Sequence, residues 1–495
     1  MASPQSLSVV AWHLLCPLVA GCLLTACSAV GPAYQPPTLA QEAPAAFKED
    51  GPWRTAAPAQ VDERTPWWRL FGDAELDGLV AQANLANQTL RQAEAQYRQA
   101  QALVQGAAAA YYPTVGASVS DTRGRSRVAG VSTLGDSHAW SLQASWEPDL
   151  WGRVRRNVEA ASDSAQGSAA DLAAARLNVQ AAVVNAYVQL RLADAQGALY
   201  ARTLAGYRKA LELTQAQYRA GVALRSDVAL AANSLHAAEA QAVDVDLSRR
   251  QLEHALAVLL GQAPARFSLP PWPADRAPGL ALPVPQPGMP SQLLERRPDI
   301  AGAERRMAAA NAQIGLAQSA YFPDIVLGAG GGFAGAGLGA WTRAMDAVWS
   351  LGLSLTASLL DGGARDARLA QARAAYDGAA AGYRQTVLAA FQEVEDNLAA
   401  LRQLADEAAA QQGAVAAAET AAQVLLAQYR GGTTNYTAVI TAQALALTAQ
   451  RAALQIRGRQ YAASVALVKA LGGGWGAQDL PGMARQTRWA PDAAR

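Results

Sequence analysis

The chain has 495 residues, 41 Lys+Arg against 40 Asp+Glu, a formal net charge of +1, and 51% apolar but only 6% aromatic side chains. The even charge excludes the basic patch of a nucleic-acid binder, and the apolar content excludes a largely disordered chain. The three cysteines, Cys16, Cys22 and Cys27, all precede residue 28, and the four histidines show no ligand spacing, so a disulfide framework and a zinc enzyme are both excluded for the body.

In chain order, residues 8–24 form the apolar stretch of a signal peptide, which we assign to residues 1–26. No Lys or Arg precedes it. It ends in Leu24-Thr25-Ala26-Cys27: a Leu at −3, small residues at −2 and −1, then a thiol able to take a diacylglyceryl group. This resembles the bacterial lipobox and makes Cys27 the expected lipidation site, since two or more acyl chains anchor stably where one does not. Ser28 follows, not the Asp of an inner-membrane retention signal. Residues 27–66, rich in Pro, Ala and Gln, read as an extended tether. No later stretch has the 18 apolar residues of a membrane helix.

The body is written twice. Tyr111-Tyr112-Pro113 returns as Tyr321-Phe322-Pro323, and Trp151-Gly152-Arg153-Val154-Arg155 as Asp361-Gly362-Gly363-Ala364-Arg365. Gln217-Tyr218-Arg219-Ala220-Gly221 returns as Gln428-Tyr429-Arg430-Gly431-Gly432, and Leu260-Gly261 as Leu471-Gly472. A fixed period of this kind marks a duplicated unit. The units are taken as 67–263 and 291–475, joined by a Pro-rich linker at 264–290 and followed by a tail at 476–495. Each reads as a leading helix (74–111; 292–320), two strands, a very long helix (153–219; 364–430), a glycine turn, and a return helix (226–261; 437–471). A 67-residue helix is roughly 100 Å long, longer than a compact domain of this size is wide.

The strands are expected at about 113–122, 139–150, 323–332 and 348–360. Trp349, Leu351, Leu353, Leu355, Ala357 and Leu359 alternate with Ser350, Gly352, Ser354, Thr356 and Ser358; Trp140, Leu142, Ala144 and Trp146 alternate with Ser141, Gln143, Ser145 and Glu147. Apolar-out, polar-in segments with Tyr111, Tyr112, Trp151, Tyr321 and Trp349 near their ends fit a transmembrane β-barrel; a half-buried soluble sheet has the same period. Four strands cannot close a barrel, whose minimum is about eight, and lipid does not tolerate an open edge, so several chains must share one. Gly330-x-Gly332-x-x-Gly335 formally matches a dinucleotide fingerprint, but without a βαβ unit it reads as an extracellular loop. No spacing suggests catalytic residues.

The pattern resembles the TolC/OprM outer membrane factor family, in its NodT-like lipoprotein branch. The match is carried by Leu294-Glu295-Arg296-Arg297-Pro298-Asp299-Ile300, Ala303-Glu304, Ala320-Tyr321-Phe322-Pro323, Trp67-Trp68-Arg69-Leu70-Phe71 and Asp149-Leu150-Trp151-Gly152-Arg153. The resemblance implies a mainly α chain forming a homotrimer, with a shared 12-stranded barrel, four strands per chain, continued by a periplasmic α-helical barrel. It implies an outer-membrane exit duct in a tripartite efflux system, partnered by a periplasmic membrane fusion (adaptor) protein and an inner-membrane pump of RND type. The duct would be no enzyme and carry no cofactor or metal beyond the lipid on Cys27. A poreless coiled-coil lipoprotein and a type I secretion duct are the alternatives.

The resemblance further places the periplasmic tips at 219–228 and 429–439, turning at Gly221 and Gly432. It assigns Asp227 and Tyr429 as a closing tether. Leu224, Arg225, Ser226, Thr433 and Thr434 become the adaptor contacts. Some members ring the constriction with aspartates, but those positions here are Ala438 and Thr441, which leaves a cation-binding ring without its ligands; an arginine of some members is Thr434 here.

Overall fold

A computed structural model of the chain describes residues 29–37, 44, 46–49, 66–128, 130–272, 280–283, 291, 293–335 and 347–481. Cys27, the signal peptide, most of the Pro-rich linker and most of the tail lie outside the described residues. In chain order the elements are α1 (Ala74–Ala86), α2 (Gln88–Ala108), β1 (Thr114–Val128), β2 (Val131–Trp146), α3 (Arg153–Arg219), α4 (Arg225–Leu259), α5 (Leu293–Arg296), α6 (Pro298–Ser319), β3 (Asp324–Gly335), β4 (Ala347–Thr356), α7 (Ala364–Arg430) and α8 (Tyr436–Ala470). None of these helices is long and apolar enough to cross a membrane.

The duplication is a matter of equal lengths. α3 and α7 each have 67 residues, and α4 and α8 each have 35. Each long or return helix of the second unit starts 211 residues after its counterpart, whereas β3 starts 210 after β1. The single added residue falls between β3 and β4, because Thr114 pairs with Ser145 and Asp324 with Thr356, partners already 211 apart. Both long helices are preceded by an aspartate that accepts from backbone N–H groups at the helix start. Asp149 accepts from Val154 and Arg155, at 2.8 and 3.0 Å, and Asp361 from Gly363 and Arg365, each at 3.1 Å.

The leading helices depart from the single spans expected. At Asn87 the chain leaves helical geometry, and its side chain accepts from Leu90 N while donating to Leu259 O. One amide therefore ends α1, caps α2 and holds the end of α4. In the second unit Pro298, which lacks an N–H, separates α5 from α6. Buried Arg297 just before it donates to Asp299, to Glu393 at 2.7 Å and to Ala470 O at 3.2 Å, tying the start of α6 to α7 and to the end of α8. Burial alone would raise the Asp299 carboxyl, but the Arg297 fork outweighs it and holds the group below its ordinary value.

The four strands form one antiparallel sheet in the order β1-β2-β3-β4. β1 and β2 extend past the expected limits, to Val128 and from Val131, while β4 stops at Thr356 and leaves Leu359 and Leu360 in an exposed turn. The register puts the apolar positions of all four strands on one face, in rows. One row is Val115, Ala144, Ala329 and Leu351; the next is Ala117, Leu142, Gly331 and Trp349; the next is Val119, Trp140, Phe333 and Ala347. Trp146, Leu327 and Leu353, then Ile325 and Leu355, continue toward the helices. The opposite face carries Thr114, Gly116, Ser118, Gln143, Ser145, Ser350 and Ser354. Five rows two residues apart span about 26 Å along the strands. Trp349 is 83% exposed and Leu351 78%, an apolar surface of the kind that marks a membrane or protein interface. Gly330, Gly332 and Gly335 lie within β3, not in a loop, and so lack the strand–turn–helix setting of a nucleotide site.

Aromatic side chains ring the sheet where it meets the helices. Trp151 stacks on Phe322 at 4.9 Å and donates from its indole to Pro323 O, and Trp146 donates to Tyr111 O.

The core lies at mid-height of the helices. Trp67 and Phe71, from a short 3-10 helix, pack with Leu76 and Val80 of α1, Val183, Val184 and Tyr187 of α3, Leu256 of α4 and Tyr461 of α8. Beside it lies a charged cluster whose centre, Arg191 and Asp194, is shut from water, while Glu75 at its edge is open to it. Arg191 (2% exposed) donates to Asp194, to Glu75 and to Pro270 O, between the rings of Tyr187 and Trp272. Arg249 joins from α4, donating to Asp194 and to Leu269 O, each at 2.6 Å.

The residues preceding Trp67 do not behave as a free tether where they are described. Val30 N donates to Trp151 O; Arg156 donates to the carbonyls of Val30 and Gly31; Asn311 donates to Pro32 O; Tyr34 donates to Glu304. Further on, Phe47 is buried among Leu293, Val394 and Leu398, and Glu395 accepts from the Lys48 and Glu49 backbone N–H groups. The described stretches, 29–37 near the sheet and 46–49 further along the helices, strap the helical body.

Candidate functional site

The far end of the helices from the sheet carries the tip. Two hairpins, α3–α4 and α7–α8, turn there by the same device. Gly221 and Gly432 adopt φ of 75° and 74°, the left-handed region that glycine enters without steric cost. The next residue donates back to the last helical turn in both: Val222 N to Gln217 O at 2.8 Å, and Thr433 N to Gln428 O at 2.9 Å. These bonds satisfy carbonyls the helix leaves open.

The two return helices are capped differently. On α4, Asp227 accepts from Leu224 N at 3.2 Å. On α8, Asn435 accepts from Ala438 N at 3.0 Å, and the Thr433 hydroxyl donates to Gln428 O. Tyr429 is buried and donates its hydroxyl to Gln217 of α3, so it links the two hairpins. The structure therefore gives Tyr429 and Asp227 separate hydrogen-bond partners: Tyr429 reaches Gln217, and Asp227 serves its own helix. Leu224 (69% exposed), Arg225, Ser226 and Thr433 face outward, while Thr434 is partly covered.

Three contributors escaped the sequence reading. Tyr436, 3% exposed at the start of α8, packs against Tyr429 with centroids 5.1 Å apart. With Ala210, Ala231 and Val439 the two rings form a small apolar core just behind the turns. Burial pushes the Tyr436 phenol above its ordinary value, with Thr214 hydrogen-bonding in the opposite sense. Gln217 is the second; its signal was its place one turn before Gly221. Val222, 78% exposed directly after Gly221, is the third, and gives the first tip a larger apolar surface with Leu224.

Ala438 and Thr441 help to line a cavity of about 530 Å³ between α7 and α8, with Ala418, Leu425, Ala442 and Leu445. Its walls are mostly apolar, with Asn435, Thr437 and Thr441 the polar exceptions, and hold no carboxylate for a cation. Among the described residues, no cluster of three or more His, Cys, Asp or Glu side chains has a metal-holding arrangement.

Comparison with known proteins returns one consistent picture. The family model for outer membrane efflux proteins matches residues 79–262 and 289–473, once per unit. The pyoverdine export outer membrane protein OpmQ of Pseudomonas aeruginosa is 30% identical over 475 residues, covering 94% of this chain and 98% of that protein. The outer membrane protein OprJ of the same organism is 32% identical over 457 residues, covering 91% and 94%. Among solved structures, the outer-membrane channel OprN superposes with a TM-score of 0.81 at 32% identity, over 90% of this chain and 99% of that one.

Proposed function

The chain belongs to the outer membrane efflux protein family, and from that premise we propose how its parts divide the work of an exit duct. The protein is an outer membrane channel of a tripartite efflux system, a homotrimer working with a periplasmic adaptor and an inner-membrane pump. Three chains give 12 strands, and β1 of one protomer meets β4 of the next, so no edge is left open to lipid. The single observation that carries the channel reading is the register. Three rows of predominantly apolar residues cross all four strands on one face, and the other is mostly Ser, Thr, Gly and Ala, with Gln143, Val326 and Val348 as exceptions.

In this reading Cys27 carries the lipid. Ala29, two residues on, rests beside Gly152 where sheet meets helix, and two residues reach at most about 7 Å, so the acyl chains enter the leaflet beside the barrel base. Tyr429 and Asp227 hold the tip closed. Tyr429 does so through Gln217, across hairpins, and Asp227 by stiffening the first turn of α4. Leu224, Arg225, Ser226, Thr433 and Thr434, with Val222, receive the adaptor. The pump is of RND type and supplies both energy and cargo selection; the duct performs no catalysis. A lumen lined by small hydroxylic residues gives passing molecules little to distinguish them.

Single-channel recording of the lipidated trimer in planar bilayers tests this reading. The wild type is expected to show small, rarely open conductance, and Tyr429→Phe and Gln217→Leu each a several-fold larger mean current without loss of the trimer. A monomer, or a trimer with no conductance in any variant, would sink the duct. Unchanged current in both variants would remove the latch and leave the duct standing.

A further inference from the structure

Above the apolar rows, the outward face of the β1–β2 hairpin changes character. β1 runs nine residues past Val119, and the positions sharing the face of Val115, Ala117 and Val119 are Asp121, Arg123, Arg125 and Arg127. Successive residues of a strand alternate faces, so three arginines continue the lipid-facing stripe upward in steps of about 6.6 Å. Their cross-strand neighbours on that face are Asp136, Leu134 and Ser132. Arg123 meets Asp136 at 3.4 Å, and Asp121 below it meets His138 at 3.1 Å. Arg125 and Arg127 sit opposite Leu134 and Ser132, which offer no carboxylate; among the described residues Arg127 reaches the Gly130 carbonyl, at 3.4 Å. All three side chains are exposed. The other face of the same stretch of β1 carries Thr122 and Gly124 and looks into the lumen, so these cations do not meet the cargo.

Height identifies what they do meet. Arg123 lies four residues beyond the last apolar row and Arg127 eight, about 13 and 26 Å along the strand, or roughly 10 and 20 Å above the apolar band after a barrel tilt of about 40°. An ordinary phospholipid headgroup layer is only about 5–8 Å deep on each side. A row that climbs this far suits a thicker layer, one whose anionic groups sit at several depths. Guanidinium forks bind phosphate in bidentate fashion and keep their charge at every working pH.

We propose that Arg123, Arg125 and Arg127 form a comb on each protomer that binds the phosphates of lipids with phosphorylated sugar headgroups in the outer leaflet. The comb is continuous with the membrane-facing surface and rests on the barrel reading above. It fixes the height and orientation of the trimer in a layer that the lipid on Cys27, at the opposite leaflet, does not reach.

Native mass spectrometry of the full-length trimer, titrated with bisphosphorylated lipid A, phosphatidylglycerol or inorganic phosphate in separate arms, tests it. Lipid A adducts are expected to survive activation that strips phosphatidylglycerol, and to resist competition by inorganic phosphate. A surface arginine is worth about fivefold in binding an anionic membrane, so the Arg123→Gln/Arg125→Gln/Arg127→Gln variant should lose about a hundredfold of the lipid A affinity. The corresponding triple Lys variant should lose less. If the triple Gln protein fails to form trimers, Arg125→Gln/Arg127→Gln, which breaks no ion pair among the described residues, is to lose most of the same affinity. Wild-type-like lipid A binding by the Gln variants, equal retention of phosphatidylglycerol, or displacement by inorganic phosphate would each overturn the comb. Single-channel conductance of the Gln variant is expected to match wild type. Loss of conductance together with lipid binding would instead assign the arginines to holding the barrel, whereas a wild type without conductance would count against the duct itself.

Discussion

Replacing Arg191 by Met should destabilise the helical body by about 3–5 kcal/mol, the usual cost of removing one partner from a buried charged cluster. Methionine keeps the stem and its packing but deletes the guanidinium. Two charge-assisted hydrogen bonds are lost: one to buried Asp194 at 2.9 Å, worth about 1.5–3 kcal/mol, and one to Glu75, worth less because that carboxylate is 41% exposed. The bond to Pro270 O and the positions over Tyr187 and Trp272, both at 5.0 Å, go as well. Asp194, 2% exposed, keeps Arg249 and the Trp272 N–H as partners, so its desolvation is only partly offset. The exposed pair Arg208–Glu239, 58% and 38% open to water, is the control, and Arg208→Met should cost no more than about 1 kcal/mol. Thermal melting of the detergent-solubilised trimer reads the difference, with a drop of roughly 5 °C expected for Arg191→Met. Arg191→Met/Asp194→Asn should lose clearly less than the sum of the single changes. Equal melting points for the Arg191 and Arg208 variants would refute the reasoning.

Three further outcomes are expected. Gly261 and Gly221 both have positive φ, 70° and 75°, but a Cβ at Gly261 would lie 2.3 Å from Ala86 O while Gly221 faces open space. Gly221→Ala should therefore cost only the left-handed penalty of about 1–2 kcal/mol and Gly261→Ala clearly more; equal losses in melting would contradict the close approach. On the sheet, Leu351→Arg at the middle apolar row should cost about 2–4 kcal/mol in bilayer refolding. Ser141→Arg, on the opposite face beside Ser118, should leave stability nearly intact and reduce cation current. An outcome with these two reversed would mean that the faces are exchanged. Burial pushes the Asp163 carboxyl up from 3.8 to about 6, against the pull of Arg305. A raised folded-state pKa means that the group's contribution is fully present below pH 3.8 and is lost as pH rises through about 6. Asp163→Asn should thus gain melting temperature relative to wild type more at about pH 8 than at about pH 4; a difference independent of pH would show that the carboxyl is not buried as described.

The long helices could be read to the residue because their limits are local. Aspartate, glycine and the 211-residue repeat all act within a turn or two of each end. Strand lengths could not, and the reason is physical. Above Val119 and Trp140 the outward face becomes charged, so the apolar alternation vanishes although the hydrogen-bond ladder continues to Val128 and Val131. Asn87 reads as one more polar residue in an Ala/Gln-rich helix until Leu259 O is seen to need a donor. The strap was invisible for a related cause: its carbonyls are held by Arg156 and Asn311, more than a hundred residues away in sequence. At the tip, composition pointed to the turns and to Tyr429, but Tyr436 and Gln217 became partners only through the meeting of two hairpins.

Equality of the helices has one more consequence. In a trimer, two hairpins per chain make six staves of matched length, so their ends lie flush as a rim. Going round it, the stations alternate: Val222 and Leu224 present bare hydrocarbon, then Thr433 and Asn435 present hydroxyl and amide. A ring of partners seated there meets either three identical paired stations or six of two kinds. A partner present in six copies must therefore have one contact surface tolerant of both chemistries, or two surfaces used in turn.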